Sequence, residues 1–188
     1  MSTDDSRPEA PRAHELSDAA LSRLAREVGQ ALHQAGWRVV TAESCTGGWV
    51  AKCITDVPGS SQWFERGYVT YSNDAKQQQL GVSLQTLESS GAVSAIAAAQ
   101  MAEGALAASR TEIAIAVTGI AGPDGGSAEK PVGLVCFALA RGSSPVLTHT
   151  QRFAGDREAV RRAAVATALR LVLNAARAAA PHPAGQGR

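Results

Sequence analysis

One short segment of the sequence places a serine where it could act as a nucleophile. Residues 41–48 (TAESCTGG) leave a β-rich run and enter a helix-forming one, with Ser44 at the transition and Gly47 and Gly48 behind it. Glycine lets the backbone approach a ligand, and the start of a helix offers free N–H groups to an anion. We expect Ser44 to be exposed at the edge of a sheet. A serine-capped turn with a glycine hinge would have the same residues, so both interpretations stay open at this level.

A second segment, residues 71–76 (YSNDAK), supplies a candidate base. A serine hydroxyl is a weak nucleophile until a base accepts its proton. Histidine is the usual base, but none of the four histidines lies in a motif, and Ser44 lacks the flanking glycines of a nucleophile elbow. Lysine is the other route, because burial can lower its pKa until the amine is neutral near pH 7. Lys76 is one of only three lysines, although a solvated helix lysine would have the same sequence context.

A third segment, residues 118–126 (TGIAGPDGG), follows the predicted strand whose alternation most strongly indicates burial, residues 111–118. It lacks the Gly-Lys-Ser/Thr ending of a P-loop, so nucleoside triphosphate hydrolysis is not indicated. A phosphate- or sugar-binding loop and a tight connection between two strands are equally consistent with it.

Two further candidates for catalytic residues are weaker. Residues 127–130 match S-x-x-K but precede Pro131 instead of opening a helix, and Cys45 has no histidine in its sequence context.

The elements that must position these segments follow from the hydrophobic periodicity. Helices are predicted at 16–35, 47–57, 73–80, 94–108 and 157–179. Strands are predicted at 37–42, 67–72, 111–118, 131–141 and 146–153. Helices before, between and after the strands are typical of an α/β protein, here a layered α/β/α domain with a mixed sheet of about five strands. The order of the strands is not readable.

Composition argues against several classes of function. A net charge of +1 provides no basic surface for nucleic acid and no polybasic patch for a membrane. No apolar run reaches the ~18 residues of a membrane-spanning helix. The three cysteines lack CxxC spacing, so they indicate neither a disulfide framework nor a zinc site, and they fit a reducing compartment. We expect a cytoplasmic protein without a bound metal.

The chain is long enough for one core and too short for two ordinary domains. Residues 1–15 are polar, without the apolar region of a signal peptide, and are predicted to form a disordered arm. Residues 181–188 (PHPAGQGR) are predicted to form a disordered tail. The folded domain is expected at 16–180.

Seven segments in unbroken order carry a further pattern: TAESCTGG (41–48), YSNDAK (71–76), LGV (80–82), GAVS (91–94), VTGIAGPDGG (117–126), KPVGLV (130–135) and FAGDR (153–157). Together they resemble the CinA C-terminal family, which includes the bacterial nicotinamide-nucleotide amidohydrolases. The resemblance covers residues 16–178. It implies hydrolysis of the carboxamide of nicotinamide mononucleotide to nicotinate mononucleotide and ammonia, without metal or cofactor. We also expect a homo-oligomer, with a dimer favoured.

The resemblance also implies roles for individual residues. Ser44 would be the nucleophile, Lys76 its base and Tyr71 an assisting residue. Backbone N–H groups of the turn after Ser44 would stabilise the oxyanion, and the glycine-rich loop would hold the phosphate and ribose. The residues expected to bind the substrate in these two ways are Thr46, Gly47, Gly48, Thr118, Gly119, Ala121 and Gly122, with Arg157 as a further contact.

Two qualifications come with the resemblance. Longer family members carry an N-terminal domain similar to molybdopterin-binding domains and linked to pyrophosphatase activity. Only a polar arm precedes Leu16 here, so we expect no pyrophosphatase activity. The alternative functions are a non-catalytic nucleotide-binding or competence-associated interaction protein on the same fold, and a hydrolase of another amide.

Overall fold

The computed structural model describes residues 16–179, so the predicted arm (1–15) and tail (181–188) lie outside the described residues. The helices are α1 (Asp18–Ala35), α2 (Trp49–Thr55), α3 (Asn73–Leu80), α4 (Leu84–Ser89), α5 (Ala95–Ser109) and α6 (Arg157–Ala179). The strands are β1 (Val39–Glu43), β2 (Phe64–Val69), β3 (Ile113–Gly119), β4 (Leu134–Arg141) and β5 (Leu147–Arg152). In the part of the chain that the structure describes, no helix combines the length and the apolar character needed to cross a bilayer.

The five strands form one mixed sheet in the order β2-β1-β3-β4-β5. Strand β1 is parallel to both β2 and β3, whereas β4 and β5 are antiparallel to their neighbours. Glu43 at the end of β1 is paired with Val69 on one side and Val117 on the other. The carboxyl ends of β1, β2 and β3 therefore lie at one edge of the sheet. The three chemically promising segments all leave the sheet at this edge.

Helices cover both faces of the sheet, as predicted. Alternation along β3 places Ile113, Ile115 and Val117 on the face covered by α1, α2 and α6. Ala114 and Ala116 lie on the opposite face, in a core of small residues formed with α3, α4 and α5. Small side chains bring α5 close to its neighbours. The predicted layered α/β/α architecture with a five-stranded mixed sheet is confirmed.

The structure differs from the predicted elements at several boundaries. Strand β2 begins and ends three residues earlier than expected. Its last bond to β1 is from the N–H of Thr70 to the carbonyl of Glu43, after which the chain turns towards α3. Helix α4 was not predicted, since six residues are too few to show a helical period. Helix α3 is capped by Ser72, whose hydroxyl accepts the N–H of Ala75.

Candidate active site

Ser44 lies at the point where β1 leaves the sheet. Its N–H donates to the carbonyl of Val117 on β3 at 2.9 Å, so the chain still follows the sheet at this residue. The expectation of an exposed serine is wrong. Ser44 is only 8% exposed, because Lys76 of α3 lies over its hydroxyl. A buried hydroxyl in a low-dielectric environment interacts strongly with whatever base it faces.

The base that Ser44 faces is the amine of Lys76. Lys76 Nζ lies 3.1 Å from Ser44 Oγ and donates to the carbonyl of Thr70 at 2.8 Å. The side chain is 1% exposed, which rules out the alternative of a solvated helix lysine. Burial lowers the pKa of Lys76 below its ordinary value, and the neighbouring Cys45 opposes this only in part. Among the described residues, no carboxylate offsets the effect of burial on this pKa.

Glu43 is a buried residue of the site to which the sequence analysis gave no role. Its carboxylate is 1% exposed and accepts the N–H groups of Val50 and Ala51, at 3.1 and 2.8 Å. It thereby satisfies two free N–H groups at the start of α2, where Gly48 provides no side-chain cap. Ser44 is therefore not the capping residue, and its hydroxyl is available to Lys76. The sequence signal that could have identified Glu43 is a charged residue at the end of a strand that is otherwise apolar and buried.

The turn after Ser44 contains the backbone groups expected to bind an oxyanion. Gly47 and Gly48 both have positive φ, 61° and 89°, a conformation that favours glycine. The Gly47 N–H donates to the carbonyl of Ser44 at 3.0 Å, so it is already engaged. The N–H groups of Thr46 and Gly48 donate to no backbone carbonyl within residues 16–179. The N–H of Cys45 also has no backbone acceptor within the described residues, so the turn has three amides without a backbone partner.

The glycine-rich loop is joined to the second segment by one arginine. Arg157, at the start of α6, donates through Nη1 to the carbonyl of Gly122 and through Nη2 to the hydroxyl of Tyr71, both at 2.8 Å. Tyr71 is 59% exposed. Its only hydrogen bond within the described residues is the one from Arg157, so its hydroxyl is not hydrogen-bonded to Ser44 or Lys76.

The other predicted residues of this loop are placed differently. Thr118 is buried, and its hydroxyl donates to the carbonyl of Ala92 at 2.8 Å. Gly119 is the last residue of β3. Ala121 is 4% exposed and packs in the larger core. The hydroxyl of Thr118 and the side chain of Ala121 are thus used by the fold. The N–H and carbonyl of Ile120 and the carbonyl of Gly122 are also hydrogen-bonded within the described residues.

The weaker candidates are accounted for by the fold. Burial raises the pKa of the Cys45 thiol to about 12, so the rival nucleophile is protonated at neutral pH. In the S-x-x-K match, Ser127 Oγ accepts the backbone N–H of Lys130, and the Lys130 ammonium donates to the carbonyl of Ser90. Within residues 16–179, no group of three His, Cys, Asp or Glu side chains could hold a metal ion.

Comparison with known proteins identifies the family to which the chain belongs. Residues 21–176 match the model of the CinA C-terminal domain. The nicotinamide-nucleotide amidohydrolase PncC of Escherichia coli K12 is 57% identical over 82% of this chain and 93% of its own length. PncC of Pseudomonas putida is 52% identical over 79% of this chain and 92% of its own. The crystal structure of the competence/damage inducible protein CihA from Agrobacterium tumefaciens superposes with a TM-score of 0.79 at 50% identity, covering 82% of this chain and 95% of that one. The chain belongs to the CinA C-terminal domain family.

Proposed function

We propose that this protein is an amidohydrolase that converts nicotinamide mononucleotide to nicotinate mononucleotide and ammonia, with Ser44 as nucleophile and Lys76 as base. The observation that carries the proposal is the buried contact of 3.1 Å between Lys76 Nζ and Ser44 Oγ. The names of the PncC relatives support the substrate. They resemble this chain over the whole segment that contains the pair.

The environment of Lys76 suits a general base. A neutral amine has two N–H donors and one lone pair, whereas an ammonium has three donors and no lone pair. The carbonyl of Thr70 accepts one N–H of Lys76, which leaves the lone pair free to accept the proton of Ser44. Because burial lowers the pKa of Lys76, a larger fraction of the amine is neutral near pH 7 than in an exposed lysine.

The reaction then proceeds in two stages. Lys76 takes the proton of Ser44, and Oγ attacks the carboxamide carbon. The N–H groups of Thr46 and Gly48 would stabilise the resulting oxyanion, and one such donor is typically worth ~3 kcal/mol. Lys76 returns the proton to the leaving nitrogen, which departs as ammonia. In the second stage Lys76 activates a water molecule that hydrolyses the ester of Ser44 and releases nicotinate mononucleotide.

The nucleotide part of the substrate is assigned to Arg157 and the glycine-rich loop. A guanidinium has five N–H donors, and Arg157 uses two of them on Gly122 and Tyr71 within the described residues. The others can bind a phosphate, for which the planar fork of arginine is well suited. Tyr71 then assists by orienting Arg157 at the rim of the site, and a direct role in the proton transfer is not required.

The test is ammonia release from nicotinamide mononucleotide by the purified protein, with the product identified by chromatography. We expect turnover by the wild type and by Ser127→Ala. Ser127 is the serine of the S-x-x-K match and serves as the matched control. We expect none by Ser44→Ala. Undiminished release by Ser44→Ala would mean that the nucleophile lies elsewhere.

The same preparation separates the alternatives. Binding of the mononucleotide in a calorimeter without ammonia release would favour the non-catalytic nucleotide-binding protein. Release from other amides but not from this one would favour another substrate. The expected homo-oligomer, with a dimer favoured, is checked by light scattering after gel filtration, and the cytoplasmic location by fractionation.

A further inference from the structure

Arg161 lies one helical turn after Arg157 on α6 and contacts the back of the serine turn. Its Nε donates to the carbonyl of Cys45 at 3.0 Å, and its Nη2 donates to the carbonyl of Thr46 at 2.9 Å. One guanidinium thus holds two consecutive peptide units directly after Ser44. The ring of Trp49 lies against it, with the guanidinium carbon 5.3 Å from the ring centroid, which further restricts its plane.

The planarity of the peptide unit turns this contact into a constraint on the N–H groups. In a trans peptide, the carbonyl of one residue and the N–H of the next point in opposite directions. Holding the Cys45 carbonyl therefore turns the Thr46 N–H away from Arg161, and holding the Thr46 carbonyl does the same for the Gly47 N–H. The Gly47 N–H is bonded to the carbonyl of Ser44. Of the two N–H groups oriented in this way, the Thr46 N–H has no backbone acceptor within the described residues and can therefore bind an oxyanion.

We propose that Arg161 is a positioning residue that fixes the orientation of the Thr46 amide for oxyanion binding. This inference rests on the proposed function, because it assigns a task to the same turn. Arg161 acts through the backbone. The cavity of about 440 Å³ that Arg161 lines together with Trp49 and Arg162 also includes Gly47 and Gly48 of the turn, but neither Ser44 nor Lys76.

The neighbouring Arg162 provides a matched control. It lies on the same helix and contacts the same ring, with its guanidinium carbon 4.9 Å from the centroid of Trp49. Its hydrogen bonds go to Leu16, Asp18 and Glu158 and not to the serine turn. Removing Arg162 therefore removes a positive charge and a ring contact at nearly the same place, but no bond to the turn.

The experiment measures kcat and KM for Arg161→Met, Arg161→Lys and Arg162→Met, with circular dichroism and Tm to confirm folding. For Arg161→Met we expect kcat to fall about 10- to 100-fold, less than the loss of a whole oxyanion donor, with KM changed less than about threefold. Arg161→Lys should recover part of kcat, because an ammonium can still donate to one of the two carbonyls. Arg162→Met should keep wild-type kcat.

A second readout separates this inference from the choice of substrate. Phenylmethanesulfonyl fluoride forms a bond between Ser44 Oγ and sulfur, with loss of fluoride and transfer of the serine proton to Lys76, and intact mass reports the rate. If the wild type is labelled but releases no ammonia from the mononucleotide, the proposed substrate is wrong. In that case the labelling rate of Arg161→Met should be about 10- to 100-fold lower than that of the wild type, the same factor expected for kcat. If the wild type shows neither reaction, both proposals fail.

Three results would overturn the role of Arg161. Wild-type kcat in Arg161→Met would show that the turn keeps its shape without it. A raised KM at unchanged kcat would make Arg161 a substrate-binding cation. An equal loss of kcat in Arg162→Met would assign the effect to the charge or packing of the helix. If Arg161→Met does not fold, the same criteria apply to Arg161→Lys.

Discussion

Replacing Lys76 by methionine tests the proposed base most directly. Methionine is unbranched and of similar length, so it fills the same buried space without an amine. The change removes the group 3.1 Å from Ser44 Oγ and the donor to the carbonyl of Thr70. The substitution changes no residue of the turn that follows Ser44.

The expected loss of activity is large. General-base catalysis is typically worth 10²–10⁴-fold, and a nucleophile without its base loses nearly all of its advantage. We expect kcat/KM of Lys76→Met to fall by about 10³-fold, which corresponds to roughly 4 kcal/mol of transition-state stabilisation. Leaving the Thr70 carbonyl without its donor costs about 1–3 kcal/mol of stability. Removing the buried amine offsets this cost, so the variant should remain folded.

The pH dependence follows from the direction of the shift. A base is active when deprotonated, so kcat/KM of the wild type should rise with pH through the pKa of Lys76. Burial lowers that pKa, so the rise should occur below the ~10.4 of a free lysine.

The stability of the fold depends on pH through the same lowered pKa of Lys76. The unfolded chain binds the proton more tightly than the folded one, so Lys76 destabilises the fold increasingly as pH drops from ~10.4 to its lowered pKa. The difference between the Tm of Lys76→Met and the Tm of the wild type should therefore grow as pH falls through that window.

The assay is initial-rate ammonia release from pH 5 to 10, with Lys52→Met as the matched control. Lys52 is on the surface, with 65% of its side chain exposed and an ion pair to Asp56, so its loss should leave kcat/KM unchanged. Lys76→Arg keeps the charge but cannot lose its proton, and it should be as inactive as Lys76→Met. Substantial turnover by folded Lys76→Arg would refute the reasoning, because Lys76 would then be a binding cation.

Three further predictions concern the rest of the site. Arg157→Ala should raise KM for the mononucleotide about 10- to 100-fold, the value of a hydrogen bond to a charged group, and should affect the phosphate-free nucleoside less. Equal effects on both would exclude a phosphate contact. Iodoacetamide should not inactivate the enzyme at neutral pH, since burial raises the pKa of Cys45 to about 12. Inactivation that tracks alkylation of Cys45 by mass spectrometry would contradict this. EDTA should leave turnover unchanged, and loss of activity restored by zinc or magnesium would disprove the metal-free mechanism.

The sequence predicted most of the elements because their signals are local. Periodic apolar residues predicted α1, α5 and α6, and alternation predicted β3, whose two faces pack in two different cores. Strand β2 was misplaced by three residues because it is an edge strand, half-exposed along most of its length, and has no strong alternation to define it. Strand order was unreadable because pairing joins residues far apart in the chain.

At the candidate site, the sequence singled out candidate residues, and the tertiary structure decided which of them lie together. The motifs singled out Ser44, Lys76 and Arg157, whose types and neighbours stand out within a few residues. They did not indicate that Lys76 is 1% exposed or that Arg161 holds the turn after Ser44. The pair that supplies nucleophile and base joins residues 32 positions apart, and the contact from Arg161 to Cys45 spans 116. Burial, and with it the pKa of a lysine, depends on which distant elements pack around the side chain, and local propensity extends over only a few residues.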